Sequence, residues 1–204
     1  MHRPPVRTPK ASGSSGCRRW PPAAISFWLT VVAVTLCINP ARRAGRASAA
    51  TPTRESQITA VFLFNFAQFV EWPADAFTDS KAPLEIGVVS ADTGVAESLT
   101  AAVQGKSVGG HPLAVRHFAT PGEARACHVL YVEGVPPADV DRLIERFRKS
   151  PVLTVGSASG FAAAGGVIRL FTEDNKMRFE VNLRAMESAR LKISSQLLKM
   201  SSNH

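Results

Sequence analysis

Apolar residues between Glu55 and Trp72 recur at spacings of three and four: Ile58, Val61, Phe62, Phe66, Phe69 and Val70. That period marks one face of a helix. Leu63 and Phe64 widen the stripe, Thr53-Arg54-Glu55 offers a cap and Pro73 a stop, so the pattern predicts a helix from Glu55 to Trp72. A helix this apolar packs against a sheet, or part of it docks on a partner. Short apolar runs follow at Leu84–Val89, Leu113–Phe118, His128–Val132 and Val152–Val155, and they read as four buried strands. Helical patterns separate them. Asp92-Thr93-Gly94 opens one that runs to Val103 and closes at Gly105, with Gly109-Gly110 as the turn into the next strand. Pro136-Pro137 opens another, to Lys149, with Val140, Leu143, Ile144 and Phe147 on one face. A short helical turn is expected over Gly160–Gly165. Val167–Phe171 and Met177–Val181 then flank Glu173-Asp174-Asn175, a hairpin signal. Asn182 can cap a helix from Leu183 to Ala189, with Leu191–Ile193 extended after it and a last turn at Gln196–Met200. Strands alternating with helices predict an α/β fold, a single-domain three-layer sandwich whose mostly parallel sheet ends in a C-terminal antiparallel hairpin.

The N-terminus has a different character. The 204-residue chain holds 24 Lys and Arg against 16 Asp and Glu, a net charge of +8. Arg3, Arg7, Lys10, Arg18, Arg19, Arg42, Arg43 and Arg46 all fall in residues 1–50, which contain no acid. Residues 51–204 are therefore formally neutral, which argues against a nucleic-acid footprint on the folded part. The basic start, the apolar run Ala23–Ile38, the Asn39-Pro40 break and Ala47-Ser48-Ala49-Ala50 read as a signal peptide over 1–50, cleaved near Ala49 or Ala50. Arg42, Arg43 and Arg46 are atypical there and leave a retained anchor as the alternative. The remaining 51–204 suit one domain. Removal of the leader takes Cys17 and Cys37, so Cys127 has no intramolecular partner and is expected to be buried and inert.

No catalytic constellation emerges, and no cofactor is implied. Gly105-Lys106-Ser107 lacks the upstream glycine of a phosphate loop, and Gly156-Ser157-Ala158-Ser159-Gly160 has Ala where a nucleophile elbow needs Ser. His111, His117 and His128 have no ligand spacing, so no metal site is expected. Cys127 and His128, being adjacent, are expected on opposite faces of a strand. Ser157 and Ser159, in the turn after the fourth strand, are candidates for holding an anion, together with Arg190 and Lys192. The bland reading is a capped turn and a solvated edge.

Three stretches carry a family resemblance: Val61 to Pro73 (VFLFNFAQFVEWP), Ala126–Val132 with Pro151–Val155 and Gly160-Phe161, and Met177–Leu183 with Leu191–Leu198. Together they resemble the YfiR family of periplasmic proteins. The resemblance implies a periplasmic, dimeric, non-catalytic protein that binds the periplasmic domain of a membrane diguanylate cyclase. It would hold that enzyme inactive and keep cyclic di-GMP, adhesion and biofilm formation low. Some members use disulfides as redox sensors, and the lone Cys127 departs from that. An inhibitor of this kind needs differential affinity for two partner states rather than reactive groups. Phe64, Trp72, Phe77 and Phe161 are the candidate partner-binding anchors, with core packing as the competing role for each. The rival functions are a periplasmic sensor of a small anion or nucleotide and a structural accessory of the envelope.

Overall fold

Helix α1 spans Arg54–Phe69 in the computed structural model, which describes residues 52–202. The expected leader over 1–50 lies outside the described residues. Thr53 caps α1 by accepting the Ser56 N–H at 3.1 Å. Ala60, Leu63, Phe66 and Ala67 form its buried face. The helix stops short of Trp72. Pro73 disfavours helical geometry at the residue before it, and β-branched Val70 takes a strand partner instead. β1 (Val70–Glu71) pairs antiparallel with β9 (Lys192–Ile193), with Val70 opposite Ile193.

The main sheet has seven strands: β2 (Leu84–Val89), β3 (Ser107–Val108), β4 (His111–Phe118), β5 (Val129–Val132), β6 (Leu153–Gly156), β7 (Ile168–Glu173) and β8 (Lys176–Val181). Their spatial order is β3-β4-β2-β5-β6-β7-β8. The pairs from β4 through β7 are parallel. The expected hairpin closes one edge, β7 against β8, with Asp174 and Asn175 at φ 50° and 58°. Two consecutive left-handed residues are what a two-residue hairpin turn of this type requires. The other edge also ends in a hairpin, which the sequence reading missed. Gly109 and Gly110 take positive φ and fold β3 back on β4.

Helices α1 and α2 (Gly94–Val103) cover one face and α3 (Pro137–Phe147) the other. The pleat sorts each strand accordingly. Ile86, Val88, Val129, Tyr131, Leu153 and Val155 join the core under α1 and α2. Val89, Leu130 and Val132 join the core under α3. Each such side chain contributes about 1.5–3 kcal/mol on burial. This is the predicted three-layer sandwich. The Gly160–Gly165 stretch makes turns rather than a helix. A methyl at Gly156 or Gly166 would collide with the Phe161 ring, so both glycines make room for it. Asn182 caps α4 (Leu183–Ser188) through its Oδ1, and α5 (Ser195–Lys199) follows β9.

The chain passes from β2 to β4 on one side and later to β5 on the other. The switch point of the sheet thus lies between β2 and β5, the kind of place where open α/β sheets hold ligands.

Candidate functional site

Toward the carboxyl end of β5 stands Tyr131, the protein's only tyrosine. It points toward α1 because Val129 and Tyr131 share the α1-facing side of β5. Glu133, Ser157 and Thr59 surround its hydroxyl and act on its ionisation. Burial, then the Glu133 charge, pushes the phenol's ionisation up. Glu133 follows β5 and its backbone N–H donates to Val89 O at 3.0 Å. Desolvation raises the Glu133 carboxyl above its ordinary range. Tyr131 opposes this, while Glu55 and Asp92 add to it. Glu55, Thr59, Tyr131, Glu133 and Ser157 border a cleft of about 230 Å³ that Leu170, Phe171, Thr172 and Met177 complete. No lysine or arginine lines it.

The amino end of the sheet is closed by rings. Phe77 stacks between His111, at a centroid distance of 3.8 Å, and His128, at 4.4 Å. His128 Nδ1 accepts the Glu85 N–H at 3.0 Å, so its proton sits on Nε2, which donates to Ala76 O at 3.2 Å. Desolvation holds the His128 pKa below the usual imidazole value. Trp72 donates from Nε1 to His128 O at 3.2 Å and packs edge-on to its ring. Cys127 lies on the opposite face and is buried, its thiol donating to Val129 O at 3.1 Å. Burial pushes the thiol up to about 12, so it stays protonated and unreactive at neutral pH, as expected.

A third feature is apolar surface. Val61 is 52% exposed, Met200 56% and Ile58 37%. A groove of about 960 Å³ runs between α1, β8 and α5, with Met200 lining it beside Phe62, Phe66, Met177 and Phe179, and Ile58 lines a separate hollow that shares Met177. Phe62, Phe66 and Phe179 form a ring cluster with centroids 5.2–6.1 Å apart. Lys176, Arg178, Lys199, Glu173 and Glu180 line it as well, Arg178 pairing with Glu173 at 2.8 Å.

The expected site residues fall in four separate places. Phe64 is half-buried on the α2 flank, with Lys106 Nζ 4.4 Å above its ring. Trp72 and Phe77 belong to the amino-end stack. Phe161 is 1% exposed in the α3 core, so packing consumes it and it presents no surface. The expected anion pocket is not assembled. Ser157 lines the acidic cleft and Ser159 is exposed in the turn beyond it. Arg190 pairs with Asp75 at 2.8 Å, and Lys192 lies on β9. The reason is the run of α1 across the sheet. Thr59 meets Tyr131, whereas Phe69 O accepts the Ser194 N–H just after β9. Those helix positions are about 15 Å apart. Sequence reasoning missed Tyr131 and Glu133, although a lone tyrosine and a carboxylate ending a wholly apolar strand were visible signals. It assigned Ile58 and Val61 to the core stripe of an over-apolar helix. That excess was the sign that one flank stays uncovered.

Among the described residues no group of His, Cys, Asp or Glu is placed to hold a metal ion, and no helix is long and apolar enough to cross a membrane. A family model described as YfiR/HmsC-like matches residues 56–202. The search of curated proteins finds no match.

Proposed function

The chain belongs to the YfiR/HmsC-like family of periplasmic, regulatory, non-catalytic proteins, and from that premise we propose that it binds the periplasmic domain of a membrane diguanylate cyclase and represses it. Cyclic di-GMP, adhesion and biofilm formation fall as a result. The observations that support this reading are the groove lined by Phe62, Phe66, Met177, Phe179 and Met200 and the exposed Ile58 and Val61 on the same helix α1. Contiguous apolar surface of this kind marks a protein-binding face. An inhibitor that moves a partner from 99:1 to 1:99 needs about 5.5 kcal/mol of preference between its two states. An ordinary interface of roughly 1,600 Å² supplies that from a few desolvated anchors. The reading includes a homodimer, and an exported chain whose leader is removed near Ala49 or Ala50.

The test is made in cells that carry the protein and its cyclase. The double substitution Ile58→Asp, Val61→Asp leaves folded, exported protein, and cyclic di-GMP rises several-fold, to the level of cells lacking the protein. Unchanged repression by the folded variant overturns the α1 face. Unchanged cyclic di-GMP when the protein itself is removed overturns the regulatory reading.

A further inference from the structure

We propose that residues 73–83 form an acid-released strap: a proton on His128 drives its ring off the Glu85 N–H and frees the segment that His128 and His111 together hold against the amino end of the sheet. The proposal does not rest on the cyclase reading.

The strap is lightly fastened. The bonds of Ala76 N–H to Pro73 O, Phe77 N–H to Ala74 O and Ala82 N–H to Asp79 O close its own turns and tie it to nothing else. Thr78 through Lys81 are exposed. Two imidazoles fasten it to the sheet. His128 Nε2 holds the Ala76 carbonyl at 3.2 Å and His111 Nδ1 the Ala82 carbonyl at 2.7 Å. The Phe77 ring lies between them, 11° from parallel with His111 and 20° with His128. A further tie, Asp75 to Arg190, is an exposed ion pair and adds little.

His128 accepts at Nδ1 and donates at Nε2, a pattern that only the neutral ring satisfies. A proton at Nδ1 sets two donors against each other 3.0 Å apart. The His128 backbone is fixed, because its N–H bonds Glu85 O while its carbonyl takes the Leu153 N–H and Trp72 Nε1. The side chain must turn instead, and turning gives up the Ala76 carbonyl and the Phe77 stack. The charges around the ring offer the proton no free carboxylate. Glu85, on β2, favours the proton but is already paired with Arg116. Asp75, on the strap, is paired with Arg190. His111, on β4, adds opposing charge. Cys127, the preceding residue, stays a neutral thiol. The attraction of the Phe77 face for a cation offsets part of the cost. A strap that has let go leaves His128 in water, where it binds the proton more tightly than in the closed form, so acid favours release. The family is periplasmic, so acidity in its surroundings is a signal this strap can read.

Hydrogen exchange of the full chain at about pH 7.5 and about pH 5, each rate divided by the intrinsic rate at that pH, reads the strap directly. Protection of residues 73–83 and of the Glu85 amide is expected to fall at least about tenfold at the lower pH, the loss of roughly one hydrogen bond. β5 and β6 keep their protection. In His128→Gln the amide side chain accepts from Glu85 and donates to Ala76 at either pH, so the fall disappears. Equal protection of the strap at both pH values overturns the proposal, and so does a fall shared equally by β5; neither result needs a variant. An undiminished fall in folded His128→Gln overturns it as well.

Discussion

The two ends of the parallel sheet are built on opposite principles. At the amino end the ring cluster is tied to the backbone: His128 uses both nitrogens, His111 Nδ1 donates to Ala82 O at 2.7 Å, and Trp72 donates to a backbone carbonyl. Phe77 fills the space between the imidazoles. The charged residues there are paired as well, Asp75 with Arg190 and Glu85 with Arg116. At the carboxyl end Glu55 and Glu133 line a cleft without an ion pair, and Asp92 adds its field to Glu133. A closed, satisfied end contributes stability, whereas an open end with unbalanced charge costs stability and is kept only where something else uses it. The difference teaches that in this fold the histidines and aromatics are structural, and that the polar groups at the far end are the ones available for recognition.

The largest expected effect comes from breaking the closed end. Phe77→Ala removes a half-buried ring and both of its stacking partners. Truncating a fully buried Phe costs about 3–5 kcal/mol, so about 2–3 kcal/mol is expected here. Thermal unfolding then falls by about 5–10 °C for a domain of this size. A change below about 1 °C removes Phe77 from the structural account and returns it to the list of partner anchors. A smaller effect of opposite sign is expected at the open end. Glu133→Gln replaces a desolvated carboxylate by an amide and stabilises the protein at neutral pH by under about 1 kcal/mol. The pH dependence follows from the raised carboxyl. The folded state binds its proton more tightly than the unfolded state, so wild type recovers this cost as pH falls through the raised folded value toward 4.5. The advantage of the variant is therefore present at neutral pH and vanishes in that window. Urea unfolding at several pH values measures it, and a variant less stable than wild type at neutral pH contradicts the account.

How much of this was legible in the sequence depends on range. Local periodicity placed the buried strands and α3, because runs such as Val129–Val132 and the Val140, Leu143, Ile144, Phe147 stripe carry their own signal. It ran α1 too far, because Phe69 and Val70 continue the apolar pattern while their pairing partner, Ile193, lies more than a hundred residues away. It missed β3, since two residues have no period. The site was harder still. Arg190 and Lys192 share a short segment, and Ser157 and Ser159 share another, but only the course of α1 shows that the two segments lie at opposite ends. The family resemblance, by contrast, was carried by apolar segments spread along the whole domain, which is why it was readable although no single functional residue was.

The smallest expected effect concerns His128, and it sharpens the contrast because its sign is opposite to that of Glu133. Desolvation lowers the folded His128 pKa below 6.5, with the bond to Ala76 O and the field of Glu85 opposing and that of His111 adding. The unfolded state then binds the proton more tightly, so stability rises with pH in this window. Its contribution is full above about 6.5 and is lost as pH falls through the depressed folded value. The structural reason is specific. A protonated imidazole donates from both nitrogens, so Nδ1 no longer accepts the Glu85 N–H that opens β2. The cost is a fraction of the Phe77 effect, because the ring is only about half buried. Urea midpoints for wild type and His128→Gln, compared between pH 7.5 and 5, isolate it: wild type loses more stability than the variant on acidification. Equal losses in both proteins mean that His128 titrates freely, and the amino end is then no more closed than the carboxyl end.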